Sequence, residues 1–397
     1  MVNKLPANWK LKTLSEVGNI ILGGTPDTTK KEYWKGNILW VIPSEVTSLP
    51  SKYLYDTERK ITELGLKNSS AKIIKPNSLI ICTRATIGNC CINKNEVATN
   101  QGFKSIIPNE DYDVVFLYYI IINNKQKLIS KASGTTFLEI SKTNLANLSF
   151  YFPPLDEQKR IASALSKIDA YLENTIKLIE EKERFKRGIA KKLLTCKEGE
   201  NIPEARFKGF EDEWEIVKLG DMFDNFKEKN NEDKIILAST IDKGVIPNSL
   251  TERKIIRKKE SLSNYKLVKK GCFVISLMSF QSGFEYSDYE GIISPAYTVL
   301  KPKIEMAHYF YKYYFKSFKF IKDLRPYAEG IRHGKQIKFK ACKDILVPYP
   351  SIEEQENIGG YLSLLDAEID NLKKQKELIK EMKRGAMQKL LSGEVRL

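Results

Sequence analysis

The 397 residues hold 65 lysines and arginines against 50 acidic residues, a net charge of +15, and 42% of them are hydrophobic. A chain of this length and apolar content builds two or more cored domains, which excludes a disordered polymer. The positive surplus calls for a polyanionic partner, nucleic acid ahead of a membrane surface. Residues 1–10 lack the apolar core of a secretory signal. The longest apolar run, 114–122, falls far short of the ~20 residues of a membrane span. A cytoplasmic protein with no membrane partner is expected. The six cysteines form no Cys-x-x-Cys pair, and two histidines, His308 and His333, make no zinc pattern, so reduced, buried thiols are expected.

In chain order, Gly23-Gly-Thr-Pro26 reads as a turn. Apolar runs bounded by Gly, Pro and Asn at 38–42 and 78–82 read as strands, and 114–122 as a helix. The next region carries Ile161, Leu165, Ile168, Leu172, Thr175 and Ile179, the stripe of a helix that packs along a seam. Pro153 and Pro154 precede its start, Asp156 is placed to cap its first turn, and Gly199 lies beyond its end. The second half repeats the order, with a strand at 272–276 and an aromatic-rich helical run at 308–320. A final helix bears Ile358, Leu362, Leu365, Ile369, Leu372 and Ile379, with Ser351 to cap it and Gly393 beyond. At 1.5 Å per residue, each long helix extends roughly 60 Å.

The chain is written twice. Pro153-Pro-Leu-Asp-Glu-Gln158 falls on Pro350-Ser-Ile-Glu-Glu-Gln355. The match continues without a gap through Asp169-Ala170 on Asp366-Ala367, Lys186-Arg-Gly188 on Lys383-Arg-Gly385 and Lys192-Leu-Leu194 on Lys389-Leu-Leu391. Upstream it is looser: Thr57-Glu-Arg-Lys-Ile61 lies on Thr251-Glu-Arg-Lys-Ile255, Leu79-Ile-Ile81 on Phe273-Val-Ile275, and Trp9 on Trp214. Between these anchors the copies diverge, as a reader of two different targets requires. The expected fold is mixed α/β (α+β) with a pseudo-two-fold internal repeat. Two target-recognition domains, 1–152 and 199–349, are separated by helical regions 153–198 and 350–397, long antiparallel helices in a coiled-coil-like pair.

Three features together resemble the specificity subunit of type I restriction–modification systems, over nearly the whole chain. They are Gly23-Gly-Thr-Pro26 followed by Trp40, the twice-occurring Pro-x-x-x-Glu-Gln helix start with its Lys-Arg-Gly and Leu-Leu endings, and Arg206-Phe-Lys-Gly-Phe210 with Trp214. The resemblance implies that each recognition domain reads one half of a split site in double-stranded DNA, with the helices holding the halves apart. It implies two docked methyltransferase subunits, joined by two motor-nuclease subunits for restriction. Adenine methylation with S-adenosylmethionine, and cleavage driven by ATP with Mg2+, then belong to those partners; this chain binds no cofactor or metal and has no catalytic residue.

The residues themselves offer little chemistry. The one Pro-Pro, at 153–154, lacks the preceding amide and following aromatic of an adenine methyltransferase motif, and no phosphate loop ending in Lys-Ser/Thr occurs. Glu58-Arg-Lys60 and Glu252-Arg-Lys254 superficially resemble half of a nuclease metal site, but a salt-bridged framework turn is the plainer reading. His333 invites an acid–base role, yet the matching stretch after Gly134 has no titratable group until Glu139. A DNA-presenting loop and a solvated loop both remain open for it.

Lysines and arginines grip phosphates, whereas Arg, Asn and Gln pair with base edges. The DNA-contact candidates are Lys30, Lys31, Arg84, Asn100, Gln101 and Lys104 in the first domain, and Gln281, Arg332, His333 and Lys335 in the second. Glu157, Gln158, Glu354 and Gln355 recur at the helix starts, where capping and partner contact are equal readings. The competing functions are a modification-only specificity module for an adenine methyltransferase and a coiled-coil scaffold that binds no DNA.

Overall fold

The computed structural model describes residues 6–134, 138–251, 259–275, 282–329 and 336–397. It divides into two compact units, Met1–Leu178 with Lys373–Leu397, and Ile179–Leu372. The divisions fall inside two 40-residue helices, Leu155–Leu194 and Ile352–Leu391, so each unit holds the first part of one helix and the last part of the other.

In the first unit the antiparallel strands Lys10–Thr13 and Ser149–Phe152 close the domain and deliver the chain straight into the long helix. Among the described residues the main sheet has five strands, in the order Gly18–Leu22, Phe103–Pro108, Leu79–Cys82, Cys90–Asn93 and Tyr53–Leu54. Its centre is a short apolar run buried on both faces, Leu79–Cys82, preceded by Asn77 in the left-handed region at φ 60°. A smaller sheet joins Lys60–Ile61, Trp34–Val41 and Val97–Thr99. The helix Val114–Asn123, capped by Asp113, lies in the core with Phe116, Leu117 and Tyr119. Ile161 and Leu165 of the first long helix complete that core, together with Met387, Leu390 and Leu391 of the second.

The second unit repeats this plan. Glu215–Lys218 pairs antiparallel with Leu346–Tyr349, and the main sheet runs Phe223–Phe226, Thr298–Pro302, Phe273–Ile275, Phe284–Tyr286. Its core gathers Trp214, Phe310, Tyr311 and Phe315 with Ile358 and Leu362 of one long helix and Leu193 and Leu194 of the other. The repeated Leu-Leu endings are thus core residues of the unit each helix finishes in. Gly359 meets the domain so closely that a Cβ there would stand 2.6 Å from the Phe310 amide nitrogen.

Two expectations change. The run 308–320 is two helices, His308–Tyr314 and Phe318–Leu324, because the Ser317 side chain accepts from the Phe320 amide and caps a fresh start. Asp156 sits inside the first turn of its helix, where the Pro154 carbonyl accepts from Glu157 and Gln158, so it caps nothing; Ser351 does accept from the Glu354 amide. The cysteines are free thiols, all but Cys196 buried, and burial pushes the Cys82 thiol up to about 11. Among the described residues no helix is long and apolar enough to cross a membrane.

Candidate nucleic-acid interface

In the first unit four loops converge. The Gly24 amide donates to the Thr99 carbonyl at 2.8 Å, and Trp40 Nε1 donates to the Gly24 carbonyl at 3.1 Å. A Cβ on Gly24 would stand 2.3 Å from the Ala71 nitrogen, which is why glycine opens this turn. Thr25 Oγ1 donates to Gln101 Oε1, Asn100 Oδ1 accepts from the Gly102 amide at 2.9 Å, and the Thr83 amide donates to the Gly102 carbonyl at 2.8 Å. The Arg84 backbone forms an antiparallel β-bridge with Glu139, and Ala85 beside it is held at φ 59°, in the left-handed region that a residue with a Cβ seldom adopts.

Arg84, Asn100 and Gln101 are therefore neighbours, with Gln101 exposed and the other two half-buried. Lys30 and Lys31 are exposed farther along the turn that Gly24 begins, with Lys30 Nζ 3.2 Å from the Tyr33 hydroxyl. Lys104 departs from expectation. It is buried, with Nζ 3.1 Å from Thr83 Oγ1 and 2.9 Å from Glu139 Oε1, so it braces the loops from beneath.

In the second unit Gln281, Arg332, His333 and Lys335 lie outside the described residues. A lysine cluster that sequence reasoning passed over follows the strand Phe223–Phe226. Burial, then the charges of Lys227 and Lys229, hold Lys266 below the usual lysine range, and Lys269 and Lys301 stand 5.5 and 5.6 Å from the Phe226 ring centre. The available signal was position: Phe223–Phe226 pairs within its sheet as Gly18–Leu22 does, so Lys227 and Lys229 follow it as the Gly23 turn follows the other. Beneath this domain Glu285 is buried, and burial raises its carboxyl to about 6 despite Lys316. Lys316 Nζ lies 2.7 Å from Glu285 Oε2 and donates to the Ile241 carbonyl at 2.6 Å.

The repeated helix starts hold the α/β domain of each unit in place. Glu354 takes both prongs of Arg206, each at 2.8 Å, and Trp214 Nε1 at 2.9 Å. Glu157 takes Arg396 at 2.9 and 2.6 Å, and that bond holds its carboxyl below the usual range against burial. Gln158 accepts from the Asp113 amide at 3.0 Å, and Gln355 accepts from the Ala307 amide at 2.9 Å, each just ahead of a core helix. All four side chains are buried in these internal bonds, a geometry that favours seating over partner contact.

A second recurring set lies farther along the helices. The Tyr119 hydroxyl donates to Asp169 at 2.6 Å and sits 3.3 Å from Ser166, while Lys383 pairs with Asp169 at 2.6 Å. The Tyr313 hydroxyl donates to Asp366 at 2.7 Å and sits 3.3 Å from Ser363, while Lys186 pairs with Asp366. Sequence reasoning aligned both aspartates and both lysines without assigning them a task. The exposed helix surface also repeats. A shallow groove lined by Phe185, Gly188 and Ile189 marks the first helix, and Met382 and Gly385 stand at the matching places of the second, with open space around both glycines.

The doubled construction has a counterpart among known proteins. The family model described as the type I restriction modification DNA specificity domain matches twice, over residues 6–181 and 211–381. The chain belongs to this family. Relatives include the MjaIX specificity subunit of Methanocaldococcus jannaschii, 32% identical over 56% of this chain and 53% of that protein. The MjaVIII specificity subunit of the same organism is 24% identical over 99% of this chain and 94% of its own length. The EcoR124I/EcoR124II specificity subunit of Escherichia coli is 32% identical over 42% of each chain. The match thus spans about half the length of MjaIX and nearly all of MjaVIII. In fold the chain is similar to the type I S subunit from M. genitalium, with TM-score 0.57 and 17% identity over 98% of this chain and 97% of that one. The HsdS subunit from Thermoanaerobacter tengcongensis gives 0.53 and 18%, covering 99% of both.

Proposed function

We propose that this specificity subunit reads a bipartite site in double-stranded DNA, the domain within residues 1–152 taking one half and that within 199–349 the other. The observation that carries this reading is the repeat: two recognition domains seated by the same Glu-Gln contacts but bearing different loops. In the first domain Arg84, Asn100 and Gln101 supply groups able to pair with base edges, and Lys30 and Lys31 supply phosphate contacts. In the second, Lys227, Lys229 and the lysines around Phe226 serve the phosphates, with Gln281, Arg332, His333 and Lys335 retained as base-reading candidates.

Two copies of one methyltransferase dock, in this reading, on the repeated helix surfaces around Phe185 and Gly188 and around Met382 and Gly385. Motor-nuclease subunits join through that complex. S-adenosylmethionine, ATP and Mg2+ are bound by those partners, and this chain, acting in the cytoplasm, catalyses no step.

Methylome sequencing tests the reading in a host carrying the cognate methyltransferase, with and without this chain. A split adenine-methylated motif is expected only when the chain is present, and exchanging residues 1–152 for those of another family member should change one half of it. An unchanged methylome from a complex that assembles overturns the proposal and leaves a scaffold.

A further inference from the structure

The second recurring set of contacts has a distinctive composition. Tyr119 belongs to the recognition domain, Ser166 and Asp169 to the helix that leaves that domain, and Lys383 to the other long helix. One carboxylate thus joins three separate pieces of chain within the first unit. The second unit rebuilds the junction from Tyr313, Ser363, Asp366 and Lys186, at matching positions. None of these residues completes an apolar cluster through its charged or hydroxyl group, and none lies among the loops that converge around Gln101. A carboxylate with two charged or hydroxyl donors on separate elements fixes their relative position through short, directional bonds that are made only in one geometry.

We propose that Tyr119, Asp169 and Lys383, with their counterparts Tyr313, Asp366 and Lys186, are positioning residues that lock each recognition domain to both helices of its unit and so set the half-site spacing the subunit accepts. The inference rests on the bipartite reading above. The two locks differ in strength. Asp169 receives a further bond from the buried Lys52 at 3.1 Å, and its side chain is 10% exposed against 39% for Asp366. Burial pushes the Asp169 carboxyl up, yet the bonds from Lys383 and Tyr119 and the lysine charges outweigh it and leave it below the usual range. The lock in the first unit is therefore the stiffer one.

The test uses the subunit in complex with its methyltransferase, as wild type, Tyr119→Phe, Lys383→Met and Lys383→Arg. Each is assayed on duplexes with the preferred spacing, with spacings one base pair longer and shorter, and with a substituted base in each half-site. Amide exchange is followed in parallel over the helix Val114–Asn123 and the strand Leu79–Cys82. In Tyr119→Phe and Lys383→Met we expect methylation at the off-spacings, relative to the preferred one, to rise about tenfold, the size of a single coupled contact. Discrimination between bases should stay unchanged, and Lys383→Arg should restore the spacing preference. Exchange should quicken in the helix and not in the strand. Unchanged spacing ratios, or loss of base and spacing discrimination together, would overturn the proposal. Should the wild type recognise an undivided site, the bipartite reading falls, and the exchange data still decide whether the lock exists.

Discussion

The clamps at the two helix starts are built from the same residue types and placed in different surroundings. Arg206 on Glu354 is 13% exposed and works with Trp214, whereas Arg396 on Glu157 is 50% exposed. The carboxylate is buried in both cases, so what differs is the solvent open to its partner. Identical chemistry therefore carries unequal weight. Water can stand in for a lost Arg396 and has poor access to the place of Arg206.

That contrast can be broken in graded steps. Arg206→Ala strands a buried carboxylate and should destabilise the second unit by about 3 kcal/mol in chemical or thermal unfolding, whereas Arg396→Ala should lower stability distinctly less, because solvent reaches that arginine. Equal effects would remove the solvent argument. Gln158→Ala and Gln355→Ala each leave a buried amide without its acceptor, and each should lower stability by about 2 kcal/mol. Here the two units should respond alike, because both glutamines are buried.

The pH dependence separates the units further. Glu285 has its folded value raised to about 6 from an ordinary 4.5, so the folded state holds the extra proton between those values and loses stability as pH climbs through them. Glu285→Gln lacks that slope and should gain on the wild type, by about 1–2 kcal/mol, between pH 4.5 and 6.5 in paired melts. Glu157 and Asp169 act with the opposite sign. Their lowered values contribute stability that is present above the ordinary 4.5 and 3.8 and is lost as pH falls further. The smallest expected effect concerns DNA. Lys227→Ala or Lys229→Ala should reduce the slope of log affinity against log salt by about 0.9 for each phosphate contact removed. The buried Lys104, changed to Met, should leave that slope in place.

The long helices, the duplicated plan and the central strands were legible because each is a repeated or periodic pattern: Ile161 to Ile179, Leu79-Ile-Ile81 on Phe273-Val-Ile275. The break at Ser317 was not, since a single capping hydroxyl inside an aromatic run leaves periodicity nearly untouched. In the candidate interface, the closeness of Arg84, Asn100 and Gln101 depended on which loops meet, and residue type alone suggested only their chemistry. Lys104 misled for the same reason. A lysine beside polar residues reads as solvent-facing until Thr83 and Glu139 are found above it. Glu157 and Glu354 were recognised by recurrence, but their partners Arg396 and Arg206 occupy unlike positions relative to the helix ends, and no register aligned them.

The composition of the first core bears on how the chain is made. It joins Trp9, Leu14 and Phe116 to Met387, Leu390 and Leu391, residues separated by nearly the whole polypeptide, while the second unit draws on one continuous stretch. A ribosome that has completed Leu372 has supplied everything the second unit needs. The first unit must keep apolar surface waiting until Met387, Leu390 and Leu391 of the second long helix have been made, so its core can be completed only after that of the second unit.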